Sequence, residues 1–232
     1  MTIAIGYIHG GSVDQPFMES LHRFLAFDSM SRKLTLGVGQ VKGPYLDDNR
    51  NELARDFLKI PADYLLSLDT DIEFDPRGVY EMLDDMERHD RAIESGMYFG
   101  VLTKKLRPVW FVPGVDGAVK TIGQFSIGQV VPLAACGMGY CLIRRDVFEK
   151  IIAAPEYAND GWPWFCRQSI LVDGVPAHEG EDIGFCLRAG KAGFQTWGNT
   201  NVQARHWKKY PLDLEMFRLY YEDALRQGKE YV

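Results

Sequence analysis

Residues 64–74 read YLLSLDTDIEF, an apolar run of strand length that carries two aspartates, Asp69 and Asp71, at its end. A strand covered on both faces reads as a near-continuous hydrophobic run, so the two carboxylates have no place in its core. In a parallel α/β sheet, ligands bind outside the carboxyl ends of the strands. Side chains two residues apart leave a strand on the same side. Two hard oxygen ligands placed there make half a site for Mg²⁺ or Mn²⁺, ions that keep open positions for water and substrate phosphates. The plainer use of the same pair is to cap the helix that begins near Pro76.

The flanking sequence supplies the sheet. TIAIGYIHG, KLTLGVGQV and AIESGMYFGV are strand-like, and helical apolar spacing lies between them in PFMESLHRFLAFDSM, LDDNRNELARDFLKI and DPRGVYEMLDDMERH. Asp47 or Asp48 is the expected N-cap of the second of these helices, and Asp75 with Pro76 opens the third. Alternating strands and helices specify a mostly parallel sheet covered on both faces. After residue 100, short β-like pieces punctuated by glycine and proline suggest a mixed region added to this first half. RRDVFEKII, GEDIGFCLRAGKAG and PLDLEMFRLYYEDALRQ read as helices, and QTWGNTNVQARHW reads as a last strand. No linker or repeat divides the chain, so a single domain, 1–232, with functional halves 1–100 and 101–232 is expected.

The chain has 232 residues, 46% hydrophobic and 25% charged, enough for one substantial core. A net charge of −6 disfavours a protein that lives on nucleic-acid phosphates. No run reaches the length of a membrane span. The four cysteines lack zinc-like spacing, so buried thiols in a cytoplasmic protein are expected.

Three further stretches carry chemistry. HEGEDIGFCLRAG places Glu181 and Asp182 at a helix start, where the dipole favours carboxylates and where a general base could face a hydroxyl. QARHWKK places His206 after a strand, as a structural histidine or a third metal ligand. CGMGYCLIRRDVF carries Gly137 and Gly139, small residues that let backbone approach a ligand or form a tight turn.

Taken in order, an R-N helix, LDTD, G-M-Y-F, G-M-G-Y-C-L-I-R-R-D-V-F, G-E-D-I-G-F-C and a late histidine resemble the GT-A fold of nucleotide-sugar glycosyltransferases. The likeness covers roughly residues 3 to 210 and is greatest to the small stand-alone, family-2-like enzymes found in phages and bacteria. The resemblance implies an α/β fold with a Rossmann-like nucleotide-binding half and a mixed acceptor-binding half. It implies transfer of a sugar from a nucleotide-diphosphate sugar, UDP-sugar favoured, to an acceptor hydroxyl with Mn²⁺ or Mg²⁺, in the cytoplasm of a bacterium or infected host. Asp71 would bind the metal, Asp69 the ribose or metal, and His206 the metal. Asp182 would be the base of an inverting reaction, and Glu181 would orient it or bind the acceptor. His9 and Gly10 follow the first strand where the base binds. Arg50 and Asn51 would line the nucleotide site, with Asn49 in place of the usual alanine. Gly137 and Gly139 would also border the donor.

DGWPWFC offers Trp162 and Trp164 for stacking on an acceptor sugar or, alternatively, for loop packing. Gly161, Gly174 and Gly180 would let this segment move as a lid. The acceptor is left open among glycan, protein and modified DNA base. Other classes fit less well. GVGQVKG is one residue too long for a dinucleotide fingerprint and sits in the wrong context. A metal-dependent nucleotidyltransferase would want a basic cluster near the first strand, and YIHGGSVDQ has none. A non-catalytic sugar-nucleotide- or carbohydrate-binding protein would not need both carboxylate pairs.

Overall fold

A computed structural model of the chain describes residues 1–102, 105–114, 118–157, 159–172, 175–208 and 211–226. In chain order the first elements are β1 (Ile3–His9), α1 (Gln15–Met30), β2 (Thr35–Lys42), α2 (Leu46–Lys59), β3 (Tyr64–Asp69), β4 (Ile72–Phe74), α3 (Pro76–His89) and β5 (Ile93–Met97). Short strands follow: β6 (Phe99–Leu102), β7 (Lys105–Pro108), β8 (Trp110–Pro113), β9 (Val119–Thr121), β10 (Val130–Leu133) and β11 (Ala135–Cys136). The chain closes with β12 (Tyr140–Arg144), α4 (Arg145–Ala153), β13 (Gln168–Val172), β14 (Val175–Glu179), α5 (Glu181–Lys191), β15 (Thr196–Trp207), β16 (Pro211–Leu212) and α6 (Leu214–Arg226).

The main sheet runs β2-β1-β3-β12-β5-β15-β10, with β4 and β16 paired on β15. β1, β2, β3, β5 and β15 point the same way, while β12 is antiparallel between β3 and β5 and β10 is antiparallel at the edge. The sheet is therefore mostly parallel, and β12 and β15 from the second half lie inside it. Phe17, Leu21, Phe24, Val79, Met82 and Met86 of α1 and α3 cover one face. Ala54, Phe57, Phe148, Phe185 and Ala189 of α2, α4 and α5 cover the other. Burial on both sides is why β3 is apolar, apart from Ser67, until Asp69.

Two local details position the site. Asp75 caps α3, its carboxylate accepting from the Arg77 N–H at 2.8 Å. The cap is thus filled without Asp69 or Asp71, which removes the simplest structural use of that pair. β15 pairs with β5 in parallel up to Asn199, breaks register before Gln203, and then pairs antiparallel with β4, His206 opposite Ile72. A break of this kind bends and re-aims a strand, and it carries His206 to the chain beside Asp71.

Some expectations change. The N-cap of α2 is Tyr45, and Asp47 and Asp48 lie in its first turn, where acidic side chains suit the helix dipole. Gly37 and Gly39 sit within edge strand β2 and not in a strand-to-helix turn, so they build no phosphate-binding loop. The cysteines are free thiols, and Cys136, Cys141 and Cys186 are buried. No described helix is long and apolar enough to cross a membrane.

Candidate active site

Asp69 ends β3 against the segment 137–139. Its backbone N–H donates to the Gly139 carbonyl at 2.9 Å. A Cβ on Gly139 would stand 2.7 Å from Asp69 Oδ2, and one on Gly137 would stand 2.1 Å from the Tyr98 hydroxyl oxygen. Both contacts are closer than real Cβ atoms allow, so close approach explains the glycines. The Gly139 N–H also donates to the Tyr98 hydroxyl at 3.2 Å, and the Met138 N–H donates to Asp182 Oδ2 at 3.1 Å. Successive backbone groups of this turn thus tie β3, Tyr98 just after β5, and α5 together.

Arg50 lies at the centre, 3% exposed. Its Nη2 donates to Asp69 Oδ1 at 3.0 Å. Its Nε lies 3.0 Å from Asp182 Oδ1 and 3.5 Å from Glu181 Oε1. The distances are those of ion pairs, yet Arg50 Nε, Arg50 Nη1 and Asp182 Oδ1 are buried without an aligned hydrogen bond. Charge holds this group together while directional bonding capacity is left over, as in a site shaped for a further polar partner.

One cation facing three carboxylates leaves excess negative charge. Burial disfavours the Arg50 cation, but Asp182, Asp69 and Glu181 outweigh it and keep the guanidinium charged. Asp182 is pushed up to about 7, first by burial and then by Glu181 and Asp69, against the pull of Arg50 and the Met138 hydrogen bond. A carboxyl that titrates near neutrality in a polar recess has the proton affinity of a general base.

On the other side of the Asp69–Asp71 turn, His206 Nδ1 donates to the Phe99 carbonyl at 2.8 Å. A carbonyl can only accept, so that nitrogen carries a proton and Nε2 faces Asp71 Oδ2 at 3.1 Å. Lys208 Nζ donates to the same Oδ2 at 2.6 Å. Burial would raise Asp71, but His206 and Lys208 together hold it below the usual carboxylate range. The Asp71 backbone carbonyl accepts from the Trp207 N–H at 2.7 Å, which locks the two segments in register. Adjacent ligands of an octahedral ion with bonds of about 2.0–2.1 Å are separated by roughly 3 Å, the spacing of this O/N pair. A carbonyl-oriented imidazole is also how metal-binding histidines are held.

The three metal-ligand candidates divide. Asp71 and His206 converge, whereas one oxygen of Asp69 is held by Arg50. Among the described residues no three His, Cys, Asp or Glu side chains form a cluster able to hold an ion by themselves. His9 ends β1, its Nδ1 accepting from the Gly11 N–H at 3.2 Å. Gly10 is exposed with open space around it.

Asn51 does not line an open surface. It is fully buried, donates to the Asp47 and Phe165 carbonyls at 2.7 and 2.6 Å, and accepts from the Trp164 and Phe165 N–H groups at 3.2 Å. Asn49, where the resemblance expects alanine, donates to the Gly43 carbonyl at 2.9 Å. The pairing of Trp162 with Trp164 as an acceptor surface is corrected. Trp162 is 46% exposed, but Trp164 is 1% exposed and donates to the Phe148 carbonyl at 2.9 Å. A buried ring with a satisfied N–H offers no face to a sugar. The loop is also pinned by Arg188, which donates to the Trp162 and Pro163 carbonyls at 2.6 Å. Gly174 of the expected lid lies outside the described residues.

Tyr98 and Lys208 escaped the sequence reading. Tyr98 is buried in a strand-like run whose aromatics read as core, and burial beside Asp69 and Asp182 raises its hydroxyl well above the ordinary range. Lys208 had one available signal, its place two residues after His206.

No protein-family model and no curated protein match the chain. Solved structures do. The crystal structure of A197 from STIV aligns over 90% of this chain and 86% of its own, at 16% identity and a TM-score of 0.58. That of GalNAc-T7 with UDP, GalNAc and Mn²⁺ aligns over 95% of this chain at 11% identity and a TM-score of 0.55.

The fold is GT-A. This GT-A chain spans about half of GalNAc-T7, 47% of its length. At such identities the likeness establishes architecture, and the chemistry rests on the residues above. In this fold the Arg50 cluster and the Asp71–His206 pair share the carboxyl end of the sheet, where a doubly wound sheet binds its ligands.

Proposed function

We propose that the protein is a glycosyltransferase that moves a sugar from a nucleotide-diphosphate sugar, UDP-sugar favoured, to an acceptor hydroxyl with inversion. The observation that carries the reading is the placement of two different carboxylate sets on either side of one turn. Asp71 faces an imidazole and a lysine, and Asp182 is held by Arg50 with its proton affinity raised toward neutral.

Asp71 and His206 are the residues that would hold Mn²⁺ or Mg²⁺, with Asp69 contributing to ribose or metal. Two protein ligands suffice where phosphates complete the shell. Such an ion neutralises charge that builds on a departing diphosphate. Lys208, bonded to the same Asp71 oxygen that His206 faces, adds a positive charge for those phosphates. The 137–139 turn lets backbone lie against the donor, and His9, Gly10 and Arg50 border its nucleotide.

Asp182 takes the proton from the acceptor hydroxyl as oxygen attacks the anomeric carbon, a contribution on the order of 10²–10⁴-fold in rate. Arg50 holds Asp182 in place, and Glu181 supports it through the same guanidinium. An oxocarbenium-like transition state, as in glycoside hydrolysis, suits a recess of net negative charge. The residues 1–100 supply the nucleotide side and 101–232 the acceptor side. Trp162 is the remaining aromatic candidate at the acceptor edge.

A thermal-shift panel of UDP-, GDP-, CMP- and dTDP-sugars with and without Mn²⁺ tests the reading. A ligand that binds only the folded form raises the melting temperature. One nucleotide sugar should stabilise the protein only with Mn²⁺ and then be consumed on addition of an acceptor. Stabilisation without turnover on any acceptor would favour a non-catalytic binding protein, and no stabilisation at all would overturn the proposal.

A further inference from the structure

A groove of about 630 Å³ lies between the segment 123–131 and α6. Phe125, Phe217 and Tyr221 give it an aromatic side, Gln124 and Gln129 add amides, and among the described residues Arg218 is the only charged one in its lining. The rings are in contact: Phe125 lies tilted against Phe217 at 5.5 Å, and Phe217 and Tyr221 are stacked at 6.1 Å. Phe99 continues the stack onto Phe217 at 5.1 Å. The carbonyl of that same Phe99 accepts from His206 Nδ1. One residue thus separates the groove from the histidine that faces Asp71.

From this adjacency we propose that the groove is the subsite for a saccharide acceptor. The proposal rests on the glycosyltransferase reading and adds the acceptor class and its place. A sugar ring has apolar C–H faces and a rim of hydroxyls. It is matched by aromatic faces that stack and by exposed amides that both donate and accept. The volume lies within the range of small-molecule sites, about 300–1,000 Å³. Among the described residues the lining holds no carboxylate and one arginine, which suits neutral and acidic saccharides and not cationic ligands. Main-chain bonds fix the groove wall, since the Gln129 N–H and carbonyl are both tied to Thr200 of β15 at 2.8–2.9 Å.

The test is saturation-transfer NMR on the full chain with methyl glycosides of glucose, galactose, mannose, fucose, N-acetylglucosamine and N-acetylgalactosamine, and with their common disaccharides. At least one should bind, and Tyr221→Ala should weaken it about tenfold, the equivalent of 1.4 kcal/mol. Ile127 is 45% exposed at the groove, so Ile127→Trp keeps the core intact and should block binding by filling the space. Mn²⁺-dependent stabilisation by the nucleotide sugar should persist in both variants. Loss of the glycoside effect with the donor effect retained would confirm the subsite. If no glycoside binds, if both variants bind unchanged, or if a serine- and threonine-containing peptide binds there instead, the saccharide assignment is overturned while the donor reading stands. If wild-type protein shows no donor effect at all, the transferase reading falls and the acceptor role falls with it.

Discussion

Asp71 Oδ2 and His206 Nε2 stand 3.1 Å apart although 135 residues separate them in the chain. The contact exists because β15 changes partner from β5 to β4 just before His206. If the pair holds a divalent ion, Asp71→Ala and His206→Ala should each abolish Mn²⁺-dependent stabilisation by a nucleotide sugar. Thermal shifts with and without Mn²⁺ read this directly. Unchanged Mn²⁺ dependence in Asp71→Ala would sink the metal assignment.

Asp182→Asn should spare donor binding and lower transfer on the order of 10²–10⁴-fold. Because Asp182 is pushed up to about 7, its ionised fraction increases through neutrality, and the wild-type rate at low substrate should climb with pH and level off above about 7. The asparagine variant should lack that limb. Stability moves oppositely. The folded carboxyl holds its proton more tightly than an unfolded aspartate near about 3.9, so its contribution is complete below that pH and is lost as pH rises through about 7. Urea midpoints should therefore show wild type losing ground to Asp182→Asn between pH 4 and 7.

Arg50 neutralises part of a buried acidic cluster. Arg50→Ala leaves Asp69, Glu181 and Asp182 facing one another and should destabilise by about 3–5 kcal/mol, the range for removing one partner of a buried ion pair. Arg50→Lys keeps the charge but loses the fork that spans both sides, and should retain more stability than activity. Chemical denaturation alongside transfer assays separates the two effects.

Gly139→Ala would drive a methyl group to within 2.7 Å of Asp69 Oδ2, on a carboxylate whose other oxygen, Oδ1, Arg50 holds. The expected cost is about 1–3 kcal/mol, typical of overpacking, accompanied by weaker donor binding. Calorimetry of the variant would show both. Gly10→Ala meets open space and should be near neutral for stability.

Trp164→Ala should cost about 3–5 kcal/mol as a core truncation, since the ring is buried and stacks edge-on against Phe148. Trp162→Ala should leave the melting temperature nearly unchanged. If either substitution alters acceptor KM in a folded protein, it should be Trp162→Ala.

How far the sequence could be read follows from which interactions are local. The apolar run of β3 with aspartates at its end, the Asp75–Pro76 helix start and the acidic first turn of α5 are each local patterns, and each stands where periodicity and capping put it. The order of these motifs was enough to suggest the GT-A fold. Asn51, Trp164 and Tyr98 were misread or missed for one reason. A polar or aromatic side chain looks the same in sequence whether it faces a ligand or satisfies the core. Asn51 spends its amide on the backbone of residues 47, 164 and 165, and only packing reveals that.

By itself the sequence determined the alternation of strands and helices over the first hundred residues, the carboxylate at the end of β3 and the glycines that permit close approach, because these depend on backbone preference and side-chain periodicity; the hairpin of β13 and β14 it did not show. Tertiary structure alone decided which charges meet. It brought Arg50 from α2 between Asp69 and Asp182, turned His206 onto Asp71 through a register break, and set Lys208 beside the same oxygen. Coulomb energy depends on distance through space, and distance along the chain says little about it once a strand can change partners.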